Sequence, residues 1–317
     1  MWIATRKPSE AKTKEPTSLS SYHLTLKTPA LLLLLTVLFH QGASQDTLKS
    51  DPSQDKKRLR TVLIGTSAGY TLSMAGLYEL WYKDAGNQSF RFFNDNAEWK
   101  QVDKFGHFGS SFYLSYGAHK ALRWSGVKNN KAEWIAPLAG FLILLPIEVF
   151  DGHSQAYGAS VGDLTANAAG SLFFYGQQAI WDDIRIYPKF SFHPTSYADR
   201  RPDVLGDHVI SQIFKDYNGQ TYWFSFDMDK FAPVPEWLNI AVGYGAEDMV
   251  YARDRQNIEA GYHPYRQYYF SLDPDLTAIK TRSKLLKTLI FLANIIKIPT
   301  PTLSYSRKGV KFHPLHF

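Results

Sequence analysis

Three short motifs place side chains with chemical potential at helical spacing. Asp103 and His107 lie four apart in DKFGHF, Glu148 and Asp151 three apart in EVFDG, and Asp163 and Asn167 four apart in SVGDLTANAAG. Spacings of three and four put two side chains on one helix face. One imidazole among several carboxylates suits a hard or borderline divalent ion, which can activate water for hydrolysis. Without a metal, an imidazole beside a carboxylate can serve as a general base. The candidate catalytic set is therefore His107, Asp103, Glu148 and Asp151, and the candidate metal set is His107, Glu148, Asp151 and Asp163.

Each residue also has a structural reading. Asp103 can cap a helix start, with Lys104 solvated beside it. Ser160 and Asp163 form a capping box, the acid also complementing the helix dipole. Asn167 can bond a neighbouring helix, and Gly170 with Ala166 lets helix backbones approach. Asp151-Gly152 makes a helix exit.

For these pairs to meet, the elements carrying them must alternate in direction. Four uncharged stretches are read as helices: Thr61–Tyr82, Asp103–Arg123, Trp134–Phe150 and Ser160–Trp181. With short connections, consecutive helices run antiparallel. The second then begins, the third ends and the fourth begins at one end, and all three pairs converge there. Pro146 is expected to kink the third helix near Glu148. In the first, Gly65, Gly69, Ser73 and Gly76 form a small-residue stripe, a habit of membrane helices and also of tightly packed soluble bundles.

The flanks differ in texture. Residues 1–44 read as a leader: a basic stretch, then the apolar run Ala30–Phe39, then small residues, which is the pattern of a signal peptide. The run is too short to span a membrane. Residues 45–60 read as a charged linker, 61–181 as the helical domain, and 182–317 as an aromatic, β-rich region. Residues 183–218 look like irregular connection. Alternating strands are expected at 221–228, 238–245 and 265–273, with two more in TLSYS and VKFHPLHF. Leu276–Ile298 reads as one amphipathic helix, suited to a membrane surface or to packing on the strands. The expected class is α+β: an apolar four-helix bundle, open to membrane embedding, followed by an antiparallel β-rich region.

The chain has 317 residues, a formal net charge of +6 and no cysteine. The basic residues form no stripe with interleaved aromatics, so nucleic acid is not an expected partner. Membrane lipid or another envelope component is. The missing thiol excludes disulfides, thiolate metal sites and a lipidated cysteine. Lys56, Lys57, Arg58 and Arg60, together with Arg123, Lys128 and Lys131, fall on the side opposite the polar cluster. That charge pattern fits an inner-membrane protein with its N-terminus inside, whereas the signal-like run argues for export. Export, to the periplasmic face or the outer membrane, is favoured because the apolar run is the cleaner signal.

The three motifs in order resemble an uncharacterised family of predicted periplasmic lipoproteins, typified by YfiM, across about residues 60–181. They are more distantly similar to VanZ-like membrane proteins, whose pattern also opens with D-K-x-x-H and closes with D-x-x-x-N-x-x-G. The first resemblance implies an envelope-associated helical domain of unestablished biochemistry. The second implies a role touching the cell wall. The chain departs from the lipoprotein pattern in having no cysteine to lipidate. Two functions follow: a membrane-associated structural or interaction module, or a metal-dependent hydrolase acting on a lipid or cell-wall substrate. A small channel is a third, which needs a water-lined path.

Overall fold

The computed structural model describes residues 52–83, 86–155 and 157–316. The leader, the signal-like run and the start of the linker lie outside them. Helix α1 spans Pro52–Leu77 and continues as a π-helical turn, Tyr78–Tyr82. It is followed by α2 (Val102–Trp124), α3 (Asn129–His153) and α4 (Val161–Trp181). The charged residues read as a linker thus belong in part to α1. The expected interruption at Pro146 does not end α3, which contains both Pro137 and Pro146.

Helices α2, α3 and α4 pack closely because glycines sit at their contacts. A Cβ on Gly140 would come within 2.8 Å of the Ser111 carbonyl oxygen, and one on Gly170 within 2.9 Å of the Phe108 carbonyl carbon. Ser111 and Ser171 hydroxyls meet at 2.6 Å in the same seam. Gly170→Ala is expected to lower the unfolding midpoint, because backbone must move to admit the methyl, at about 1–3 kcal/mol. Gly176, on the same helix, faces open space. Gly176→Ala should instead stabilise, by about 0.5–1 kcal/mol, so equilibrium denaturation of the two variants should give opposite signs.

Helix α1 is attached differently. Among the described residues Gly65 and Gly76 have no neighbour within 4 Å of a Cβ position, so these two members of the small-residue stripe make no close helix contact. Larger side chains do the packing: Val62, Met74, Leu77 and Tyr82 meet Leu114, Leu144 and Ile147, and Tyr70 donates to the Ile143 carbonyl at 3.0 Å. The arrangement is three tightly packed helices with α1 laid alongside. Among the described residues, α3 is long and apolar enough to cross a membrane.

Strands β1 (Phe92–Phe93) and β2 (Ala159–Ser160) pair in parallel and tie the approach to α2 to the start of α4. Strands β3 (Ile186–Phe192), β4 (Gln220–Phe226), β5 (Leu238–Glu247), β6 (Tyr265–Pro274), β7 (Thr300–Ser306) and β8 (Gly309–His316) form one antiparallel sheet in sequence order. Five match expected strands. The sixth, β3, lies in the stretch read as irregular connection. Its Pro188 is tolerated because β3 is an edge strand. Pro314 sits on the other edge, where the β7–β8 register slips by one residue between Thr302↔His313 and Thr300↔His316. Short helices α5 (Pro202–Leu205), α6 (Val209–Lys215) and α7 (Asp254–Glu259) fill connections. The amphipathic helix α8 spans only Lys284–Asn294, with a separate 3-10 turn at Leu276–Ala278.

The sheet curls. Phe190 of β3 exchanges backbone hydrogen bonds with Ile295 and Lys297, just before β7, and the His193 and His316 rings approach to 5.9 Å. Side chains on the concave face are buried and mostly polar: Thr221 and Ser225 from β4, Asn239 from β5, Ser271 and Asp273 from β6, Thr302 from β7. The convex face is apolar. On β3, β4 and one end of β5 the helices cover it, with Phe105 stacked on Tyr222 and Tyr244, and Phe108 and Phe173 packed against Phe224. Beyond that, among the described residues, Val242 of β5, Phe270 and Leu272 of β6, Leu303 and Tyr305 of β7, and Val310 and Phe312 of β8 are exposed.

Candidate functional site

The antiparallel helices bring the start of α2, the end of α3 and the start of α4 together. Lys104 is the centre. Its ammonium pairs with Asp163 Oδ1 at 2.7 Å, Asp103 Oδ2 at 2.9 Å and Asp95 Oδ2 at 2.5 Å. All four side chains are largely shielded. Asp95 reaches the cluster from the β1 loop and is fixed by the Ser160 hydroxyl, which donates to its Oδ1 at 2.6 Å. Ser160 caps α4, accepting from the Asp163 N–H at 3.0 Å. The reciprocal half of the capping box is not made. Instead, the Ser160 N–H donates to Glu148 Oε2 at 2.9 Å, and the Asp163 carboxylate turns to Lys104.

His107 lies one turn deeper. Its Nδ1 faces Asn167 Oδ1 at 3.2 Å, and its Nε2 faces Asp163 Oδ1 at 3.5 Å. An amide oxygen only accepts, so Nδ1 carries the proton in that pairing. One ligand atom each from His107, Glu148 and Asp163 lies within 4.8 Å of the others, and the same spacing holds for Asp95, Asp103 and Asp163. The approach to α2 is a left-handed turn in which Trp99, Lys100 and Gln101 all have positive φ (46°, 53° and 64°). It makes Gln101 the N-cap, so Asp103 is free of the capping role and lies in the first turn.

Asp151 is not part of the cluster. It accepts from the Tyr82 hydroxyl at 2.9 Å, on the α1 side of α3. At the end of a helix, three residues rotate a side chain far enough to face another neighbour. The candidate ligand set thus loses Asp151. Lys104, read as solvated, is its organising charge. Asp95 was not among the sequence candidates, since only the β1–β2 pairing carries its loop to Ser160.

Burial governs the titration of these groups. It pushes Glu148 up to about 7, against the opposing pull of His107. It also pushes Asp103 up to about 6, against the charge of Lys104. For Lys104, burial acts downward, but the Asp103 and Asp163 charges outweigh it and hold the ammonium above its ordinary value. His107 follows the same balance: burial lowers it, while Asp163, Glu148 and Asp103 prevail and raise it. Burial would raise Asp95, yet hydrogen bonds from Lys104 and Ser160 keep it low. The cluster is acid-rich, with one lysine as its permanent cation.

A second polar interior lies in the sheet. Lys189 and Asp273 form an ion pair of 2.7 Å with side chains 1% and 0% exposed. Ser225 donates to Asp273 at 2.6 Å, and Lys189 donates to Asn294 of α8 at 3.0 Å. Lys297 is buried nearby over the Trp223 ring, and burial lowers it to about 8. Toward the open end of the curl is a cavity of about 300 Å³ lined by His193, Glu247, Lys308, His313 and His316 among others. The sequence reading missed these groups because charges on an alternating strand look solvated.

The letters G-x-S-x-G occur at Gly65–Gly69. They lie inside α1, which is already helical from Pro52, with Ser67 exposed, so they form no nucleophile elbow, which requires a strand-to-helix turn.

Residues 91–176 match a family described as Predicted periplasmic lipoprotein (DUF2279). The matched segment contains all of the helical cluster, from Asp95 to Asn167. No curated protein and no solved structure matches the chain. The periplasmic description agrees with export to the cell envelope, as the apolar run Ala30–Phe39 implies.

Proposed function

We propose that this chain is a membrane-associated structural module of the cell envelope, whose sheet seats its convex face in the lipid layer. The observation that carries this reading is the inverted polarity of the sheet. In a sheet solvated on one face, apolar side chains go to the core and polar ones to water. Here Ser271 and Asp273 point inward at 1% and 0% exposure, while Phe270 and Leu272, which alternate with them, are 49% and 44% exposed. Leu303, Tyr305, Val310 and Phe312 continue the apolar face across β7 and β8. Polar-in, apolar-out alternation is the pattern of strands that face hydrocarbon.

Charge supports an anionic lipid surface. After Asp275 the chain has no acidic residue, and it carries Lys280, Arg282, Lys284 and Lys287 at and before α8. Leu285, Leu286 and Leu289 of that helix are exposed beside them, the composition of a helix lying at a lipid interface. The helical cluster serves this module as a lock, holding α2, α3 and α4 in register beneath the sheet. The hydrolase alternative draws on His107, Glu148 and Asp163, and the sheet cavity is lined by none of them.

Flotation tests the reading. The full chain, mixed with vesicles of phosphatidylethanolamine and phosphatidylglycerol, is expected to rise with the lipid. The triple variant Phe270→Asp, Leu303→Asp, Phe312→Asp should stay behind. Its fold is checked by circular dichroism and its mass by light scattering. A wild-type chain that remains in the aqueous fraction, or that buries this face in a stable dimer indifferent to lipid, rejects the proposal.

A further inference from the structure

The geometry points to a divalent metal site ligated by His107, Glu148 and Asp163, at the common end of α2, α3 and α4. It is independent of whether the sheet seats in lipid. Two triads in the cluster have ligand spacing, and they differ in one respect. The Asp95, Asp103 and Asp163 triad already holds a cation, the Lys104 ammonium, within 2.5–2.9 Å of all three. In the His107, Glu148 and Asp163 triad, the ammonium reaches Asp163, and among the described residues no lysine or arginine is paired with Glu148.

Glu148 supplies the second observation. It is 2% exposed. Its Oε2 is taken by the Ser160 N–H, and its Oε1 is buried with no hydrogen-bond partner among the described residues. An unpaired carboxylate oxygen at that depth is unfavourable unless a proton or a cation meets it. Its carboxylate lies within 4.8 Å of His107 and Asp163 ligand atoms.

His107 is prepared as a ligand in the usual way for a metal-bound imidazole. One ring nitrogen donates to an oxygen acceptor, here Asn167, which fixes the ring and turns the other nitrogen to the metal. That other nitrogen, Nε2, is the one facing Asp163. Metal–oxygen and metal–nitrogen bonds of about 2.0–2.2 Å set ligand atoms roughly 3.4 Å apart in a tetrahedral site, so small inward rotations of the three side chains close it. One nitrogen with carboxylate oxygens suits Zn²⁺ or Mn²⁺.

The test uses the full chain, stripped with a chelator and then titrated with ZnCl₂ and MnCl₂. Bound metal is counted by mass spectrometry after gel filtration, and affinity is read by calorimetry. The expected result is one metal per chain, with affinity at least tenfold weaker in Glu148→Gln and in His107→Gln. Asp151→Asn should bind as the wild type does, since that carboxylate serves Tyr82. Should the first two variants fail to fold, histidine ¹⁵N spectra of the wild type decide: Zn²⁺ should shift Nε2 of His107 and not its Nδ1. A wild-type chain that retains no stoichiometric metal overturns the assignment. So does binding that survives both variants and is lost in His313→Gln, which would put the metal in the sheet cavity instead.

Discussion

Lys104→Met should cost the protein about 3–5 kcal/mol of folding stability, the usual penalty for removing one partner of a buried ion pair. The methionine keeps the apolar stem and deletes only the charge. Asp95, Asp103 and Asp163, each 12–16% exposed at the side chain, would then face one another without a cation. The loss is read as a shift in the urea midpoint at unchanged slope. Its pH dependence identifies the cause. Uncompensated buried acids bind protons more tightly folded than unfolded, so the variant should regain stability as the pH falls toward 5. Asp103, already raised to about 6 by burial, leads that recovery. A variant as stable as the wild type at pH 8 would show that the lysine is a surface decoration.

Asp273→Asn should be comparably severe, for the same reason in a drier place. It removes the acid facing Lys189, whose side chain is 1% exposed, and leaves Lys297 close by with the same sign. The expected loss is again about 3–5 kcal/mol. The decisive measurement is the pair: Lys189→Met with Asp273→Leu should recover most of it, because replacing a whole buried ion pair by apolar groups is often neutral. Such recovery shows as a coupling energy in a double-mutant cycle of Lys189→Met, Asp273→Leu and the two combined. If the double variant were as unstable as the sum of the singles, the ion pair would not be a unit, and the sheet interior would need its charges separately.

The two networks differ in how visible they are in the sequence. The helical one announces itself, because charge inside an apolar helix is rare and its spacing is interpretable. Asp103, His107, Glu148, Asp163 and Asn167 stand out in stretches that otherwise avoid polarity, and alternating helix direction brings all five into one place. Asp151 passes the same spacing test, yet the structure turns it to Tyr82. A helical face is about 100° wide, and residues three apart at its edge can serve different neighbours. Asp95 lacks the signal altogether, since it sits in a polar connection.

The strands mislead in a different way. Alternation locates five of the six strands of the sheet, but period two does not say which face is inside. TYWFSFDM and YRQYYFSLD read equally well with aromatics buried or exposed. The inward placement of Ser225, Ser271 and Asp273 depends on the curl of the sheet and on α2 and α4 covering one part of its convex face. β3 escaped notice because it opens a stretch rich in Pro, Asp and His, and its Pro188 is accommodated only because the strand is at an edge.

By itself, the sequence determined the helical segments, their reversal of direction, the export-type leader pattern and the polar pairs at one end. These follow from local periodicity and from the cost of charge in apolar surroundings, both written into neighbouring residues. The tertiary structure alone decided that Lys104 is the cation of one triad while Glu148 keeps an unpaired oxygen in the other. It also decided that the sheet turns its polar face inward. Those outcomes depend on groups far apart in the chain, Asp95 with Ser160 and Lys189 with Asp273, whose meeting no local pattern encodes.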